Sequence, residues 1–250
     1  MKKIALLSAA TAAAFVFAPA AANAAPPAQK LEVKLTSSTS GTKKKPKSVG
    51  ITVSTGTTSQ TDNPAKLKHT ITYAKISMPK GIKLNYKSFP ECKLPEDQVE
   101  VGGWCDENAP SSAVGNGTLE ATVVDIEPLV KGTLTPYIGS NGRLIIRTKV
   151  DEIAVVDQPL IGKIGTASGG YTFDFNVPTS LQTPIEGADQ QINDFKLNFK
   201  AKNAKKGKKK IGLVELVSCP KGGYVFKGEF RYKSGETVTT STTVPCKQGK

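Results

Sequence analysis

Side chains able to move a proton or act as a nucleophile are few and widely spaced in this chain. Its one histidine, His69, lies between Leu67 and Ile71. A period-two pattern puts it on the apolar face of a strand, where a half-buried, satisfied imidazole is expected rather than a catalytic base. A single histidine also excludes a multi-histidine zinc centre. Ser168, in Gly165-Thr166-Ala167-Ser168-Gly169-Gly170, lacks the glycine two residues before it that a nucleophile elbow uses, so that segment reads as a turn. Carboxylates come in pairs at Glu96-Asp97 and Asp106-Glu107, and at Asp151-Glu152 with Asp157 nearby. Two carboxyls about 5 Å apart in a cleft would serve a retaining glycosidase, but acidic pairs between strands of a basic chain read first as surface partners of lysine. Neither an EF-hand loop nor a phosphate-binding Gly-Lys-Ser/Thr motif occurs. Gly115-Asn116-Gly117 precedes a strand where a dinucleotide loop needs a helix. The residues therefore assign no catalytic group, no metal and no cofactor.

Charge is the chemistry the chain does carry. Thirty-four Lys and Arg against 21 Asp and Glu give a formal net charge of +13. Two clusters concentrate it: Lys43, Lys44, Lys45 and Lys47 around Pro46, and Lys202, Lys205, Lys206, Lys208, Lys209 and Lys210 around Gly207. Both fall between predicted strands and are expected to be solvated loops at the ends of a sheet. Such loops can simply confer solubility, or they can give a foothold to a polyanion such as an acidic wall polymer or anionic lipid headgroups. Nucleic acid is the poorest of these partners. Only Arg143, Arg147 and Arg231 carry the fork that reads phosphates and base edges, and no aromatic residue interleaves the lysines for base stacking.

The elements that must position these residues begin with an export signal. Lys2 and Lys3 precede an apolar run from Ile4 to Ala18, and Ala22-Asn23-Ala24 supplies the small residues of a cleavage site. Residues 1–24 are thus read as a secretory leader, residues 25–30 as an extended lead-in, and residues 31–250 as the folded domain. No cysteine lies near the cut, no apolar tail ends the chain, and no later run is long enough to span a bilayer. The expected location is secreted or at the cell surface. Four cysteines in an oxidising compartment imply disulfides. Of the three connectivities, Cys92 with Cys105 and Cys219 with Cys246 are favoured, because each closes a local loop containing turn residues. Each bond would contribute about 3 kcal/mol on the chain-entropy argument.

The remainder alternates. Leu31, Val33 and Leu35, then Leu119, Ala121 and Val123, then Leu144, Ile146, Thr148 and Val150, then Tyr171, Phe173, Phe175 and Val177, then Phe195, Leu197 and Phe199, then Tyr224, Phe226, Phe230 and Tyr232 each give a strand with one apolar face. Gly139-Ser140-Asn141-Gly142 and Lys233-Ser234-Gly235-Glu236 read as hairpin turns. The apolar phase shifts near Ala74, which predicts either a β-bulge or the strand's exit from the sheet. A single helical turn is expected over Pro95 to Val99. The fold class is all-β: an antiparallel β-sandwich, Ig-like or jelly-roll-like, as one large or two small sandwiches, with a closed barrel as the alternative. A seam between two sandwiches would fall near Glu127-Pro128.

Met78-Pro79-Lys80-Gly81-Ile82-Lys83-Leu84-Asn85, Ser88-Phe89-Pro90-Glu91-Cys92, Cys105 and Ser112-Ala113-Val114-Gly115-Asn116-Gly117-Thr118 occur in that order. Asn176-Val177-Pro178, Ser218-Cys219-Pro220, Ser234-Gly235 and Thr243-Val244-Pro245-Cys246 follow. This pattern resembles a group of uncharacterised exported bacterial proteins of actinobacterial type. It departs from them at Cys105-Asp106, where the group commonly has Cys-Pro. The resemblance implies an exported, disulfide-stapled, β-rich domain and brings with it no activity, cofactor or catalytic residue. Together these readings point to a non-catalytic binding or structural module of the cell envelope that contacts anionic polymer through its lysine loops. A second reading is a carrier of a small hydrophobic ligand held between Phe173, Phe175, Phe195 and Phe199. A polysaccharide hydrolase is the remote third.

Overall fold

The computed structural model describes residues 27–58, 69–93, 104–123, 126–151, 156–185 and 188–249. The leader at 1–24, the turn at 95–99 and the carboxylates Glu96, Asp97 and Glu152 lie outside them. The chain forms β1 (Ala28–Leu35), β2 (Thr39–Ser40), β3 (Lys47–Val49), β4 (Ile51–Thr58), β5 (Ile71–Met78) and β6 (Ile82–Leu84). Then follow α1 (Trp104–Asn108), β7 (Gly115–Val123), β8 (Ile126–Gly139), β9 (Arg143–Val150), β10 (Val156–Ala167), β11 (Gly170–Asn176) and α2 (Thr179–Gln182). The last elements are β12 (Gln190–Phe199), β13 (Asn203–Lys206), β14 (Lys209–Gly212), β15 (Val214–Leu216), β16 (Tyr224–Tyr232), β17 (Thr237–Val244) and β18 (Lys247–Gln248).

The all-β antiparallel class is realised as one 11-stranded sheet, ordered β1-β4-β12-β7-β8-β9-β10-β11-β5-β16-β17. Glu127 and Pro128 sit inside β8, within that sheet. The sheet curls until its edges β1 and β17 lie alongside each other, so the two packed layers are halves of a single sheet. Alternation decides which side chains face in. In β16, Tyr224, Phe226, Phe230 and Tyr232 are buried, whereas Val225, Lys227 and Arg231 are exposed. A three-stranded sheet, β3-β15-β6, lays Leu84 and Val214 against one end of the interior. Leu181 of α2 enters at the other.

Strand β9 breaks the simple alternation, since Leu144, Ile145 and Ile146 are all buried. The cause lies on the outer face. There the loop closed by Cys92 and Cys105 (Cα–Cα 5.6 Å) packs both cysteines on Tyr137 and Ile145 and forms a second, smaller core. A strand covered on both faces reads as a continuous apolar run. The other disulfide joins Cys219 to Cys246 (Cα–Cα 5.7 Å), and both pairings match the local connectivity. The phase shift near Ala74 is a bulge opposite Arg231 and Tyr232, where β5 fits Tyr73 and Ile71 against consecutive residues of β16.

Strand β1 begins at Ala28, so residues 28–30 belong to the sheet rather than to an extended lead-in. The reason is Gln29, whose side chain is buried at the closure. Its Oε1 accepts hydrogen bonds from Tyr232 Oη (2.6 Å) and Thr57 Oγ1 (2.9 Å), and its Nε2 donates to Thr55 Oγ1 (2.6 Å). Burial raises the Tyr232 phenol above its ordinary pKa and keeps it a donor. Replacing Tyr232 by Phe should cost about 1 kcal/mol, the value of one buried hydrogen bond. The loss should appear as a lower urea midpoint with an unchanged m-value, which two-state unfolding of both proteins would report.

Candidate functional site

The second lysine cluster is not a loop. β13 and β14 form a hairpin turning at Gly207 (φ 60°) and Lys208, with Lys205 paired to Lys210 and Lys206 to Lys209. Like charges placed directly opposite each other destabilise a two-stranded ribbon, and an isolated hairpin is marginal in water. The base of this one is therefore held from outside itself. Glu215, only 4% exposed, accepts hydrogen bonds from the Gly212 amide (3.0 Å) and Asn85 Nδ2 (2.9 Å). The Leu213 amide donates to the Lys202 carbonyl (2.9 Å). Lys202 itself belongs to the scaffold. Its Nζ donates to the carbonyls of Ser111 (2.8 Å) and Ala113 (2.6 Å), and burial, followed by Lys200, lowers its pKa. It is therefore withdrawn from the set of polyanion contacts.

Lys43, Lys44 and Lys45 do occupy an exposed turn, closed by the Thr42 amide on the Lys45 carbonyl (3.0 Å). Lys47 opens β3, and β3 lies against β14, so both clusters flank the same end of the sheet. Among the described residues, none of Lys43, Lys44, Lys45, Lys47, Lys205, Lys208, Lys209 and Lys210 has an acidic side chain at ion-pair distance.

Three of the candidate carboxylates, Asp106, Asp151 and Asp157, are committed elsewhere. Arg147, on the outer face of β9, bonds Asp157 through both Nε (2.7 Å) and a terminal nitrogen, and bonds Asp106 of α1 through the other. This fork fastens the disulfide loop to the sheet, and the Arg147 hydrogen bonds hold Asp157 below its ordinary pKa. A carboxyl kept ionised in this way is the opposite of a general acid. Asp151 pairs with Lys149 (3.1 Å). His69 sets its ring edge-on to Tyr232, with centroids 6.1 Å apart, and Ser168 occupies a hairpin turn at φ 51°. Among the described residues, no cluster of three His, Cys, Asp or Glu side chains could hold a metal ion, and no helix is long and apolar enough to cross a membrane.

The four phenylalanines of the carrier reading do face one interior, and much of it is filled. A Cβ added at Gly162 would overlap the Phe175 ring, so the missing side chain makes room for that ring. Cavities of about 60 and 120 Å³ remain. Neither reaches the roughly 300 Å³ at which drug-sized ligand pockets begin. Sequence periodicity pointed to none of Arg147, Glu215 and Lys202 as positioning residues. Asp106, Asn85, Ser111 and Ala113 reach them from distant segments, and only the charge of Arg147 and Glu215 on otherwise apolar strands hinted at a role. No family model, curated protein or solved structure matches the chain.

The Arg147 clamp has a pH signature. Because the folded-state pKa of Asp157 is depressed, its contribution is fully present above the ordinary carboxylate value of 3.8 and is lost as pH falls through the folded value. Arg147→Gln should therefore lower stability at pH 7 by about 1 kcal/mol. The gap to wild type should narrow below pH 4, as measured by urea unfolding across that range.

Proposed function

We propose that this protein is an exported, non-catalytic binding module that holds anionic cell-envelope polymer through the lysine hairpin and the adjoining Lys43–Lys47 segment. The observation that supports the reading best is the like-charge ladder of the hairpin. Cross-strand lysines with no acidic neighbour cost stability, and a polyanion laid across them supplies the missing countercharge while releasing its own counterions. The three arginines are already engaged, Arg143 with Ser140, Arg147 with Asp157 and Asp106, and Arg231 with Glu229 and the Tyr73 ring. Recognition then rests on lysine point charges, which suit a flexible polymer better than the base edges of nucleic acid. A secretory leader and two disulfides fit an extracellular setting.

The test replaces Lys205, Lys206, Lys208, Lys209 and Lys210 together by Gln. Stability should stay within about 0.5 kcal/mol of wild type, or rise slightly as like-charge repulsion is removed. Retention on washed anionic wall material should fall, and its dependence on salt should flatten. Equal retention of the two folded proteins at low salt would refute the reading.

A further inference from the structure

Thr148 is 3% exposed, and its hydroxyl has no hydrogen-bond partner. A buried hydroxyl left unmade is costly, and this one borders empty space. Thr148 lines the cavity of about 120 Å³ in the middle of the barrel and a smaller one of about 20 Å³ next to it. On its other side the middle cavity meets the cavity of about 60 Å³, the two sharing Val53 and Phe175 as walls. The other threonines at the middle cavity are satisfied: Thr70 donates to the Gln190 carbonyl (2.8 Å) and Thr55 to the Lys30 carbonyl (2.8 Å). No charged side chain lines any of the three spaces.

We infer that these adjoining cavities form one internal site for a slim, neutral molecule with an apolar body and a single hydroxyl or carbonyl group, which pairs with Thr148. Size sets the body. An apolar protein cavity of about 150 Å³ accepts benzene, so the middle cavity takes one small ring or a short unbranched chain and excludes a folded lipid. Charge is excluded by the lining, since an ionised group there would have nothing to pair with. Among the wall groups, the Thr148 hydroxyl is the fully buried one left without a partner, and it sets the handle: a ligand hydroxyl satisfies Thr148, and an otherwise identical hydrocarbon does not. The site shares no residue with the lysine hairpin and stands or falls independently of it.

Phenol and benzene serve as matched probes on the oxidised full-length domain, titrated by NMR at millimolar concentration. Both should bind wild type. Thr148→Val keeps the shape and the β-branch, and should weaken phenol about fivefold, the value of one hydrogen bond, while leaving benzene unchanged or tighter. Ala74→Val, which adds carbon to the middle cavity from β5, should weaken both probes and raise the melting temperature. Failure of either probe to bind wild type would overturn the inference. So would an equal response of the two probes to Thr148→Val, or a long-lived internal water on Thr148 that neither probe displaces.

Discussion

An odd number of strands joined only by antiparallel pairings leaves the first and last running the same way. That constraint governs this protein. With eleven strands in the large sheet, β1 and β17 arrive side by side in parallel, and among the described residues no backbone ladder joins them. The closure is made by side chains, through Gln29 reaching across to Tyr232 with Thr57 and Thr55 completing the network. Everything that needs an enclosed interior depends on it. The aromatic rows of β11, β12 and β16 stay out of water only while the sheet is curled, and the end pieces β3-β15-β6 and α2 have a rim to sit in only then.

The outer surface follows a different logic. Where the sheet needs cover, a disulfide loop supplies it and Arg147 fastens it; where charge is displayed, a hairpin carries it and Glu215 secures the base. Both fastenings are polar groups at least partly withdrawn from solvent, each with its partners satisfied. The lysines beyond Glu215 are thereby free to repel one another without loosening the barrel. Stability and charge display are separated in space.

Much of this was legible in the sequence. Alternation located the long strands, because each has one wet and one dry face. The turn residues at 139–142 and 233–236 marked both hairpins, and the phase shift at Ala74 marked a bulge. Illegible parts share a cause. The strands of the lysine hairpin carry almost no apolar side chains to show a period, so they looked like loop. Ile145 and Tyr137 broke the alternation because their outer face is covered by a segment from elsewhere in the chain. Gln29 looked like lead-in because its burial is imposed by a tyrosine at the other end of the sequence, and the scaffold role of Lys202 depends on two carbonyls that no local pattern announces.

Gln29 and Tyr232 are 203 residues apart. A chain delivered N-terminus first, from a ribosome or through an export channel, holds β1 without its counterpart until almost all of it has emerged. Local hairpins such as β8–β9 and β10–β11 can pair early, but the barrel cannot close on a partial chain, and loop closure over such a distance is slow. Until then an edge and an apolar face stay open to other chains. Truncation before Tyr232 therefore removes more than one strand and one hydroxyl: it deprives the nascent protein of the event that ends its exposure.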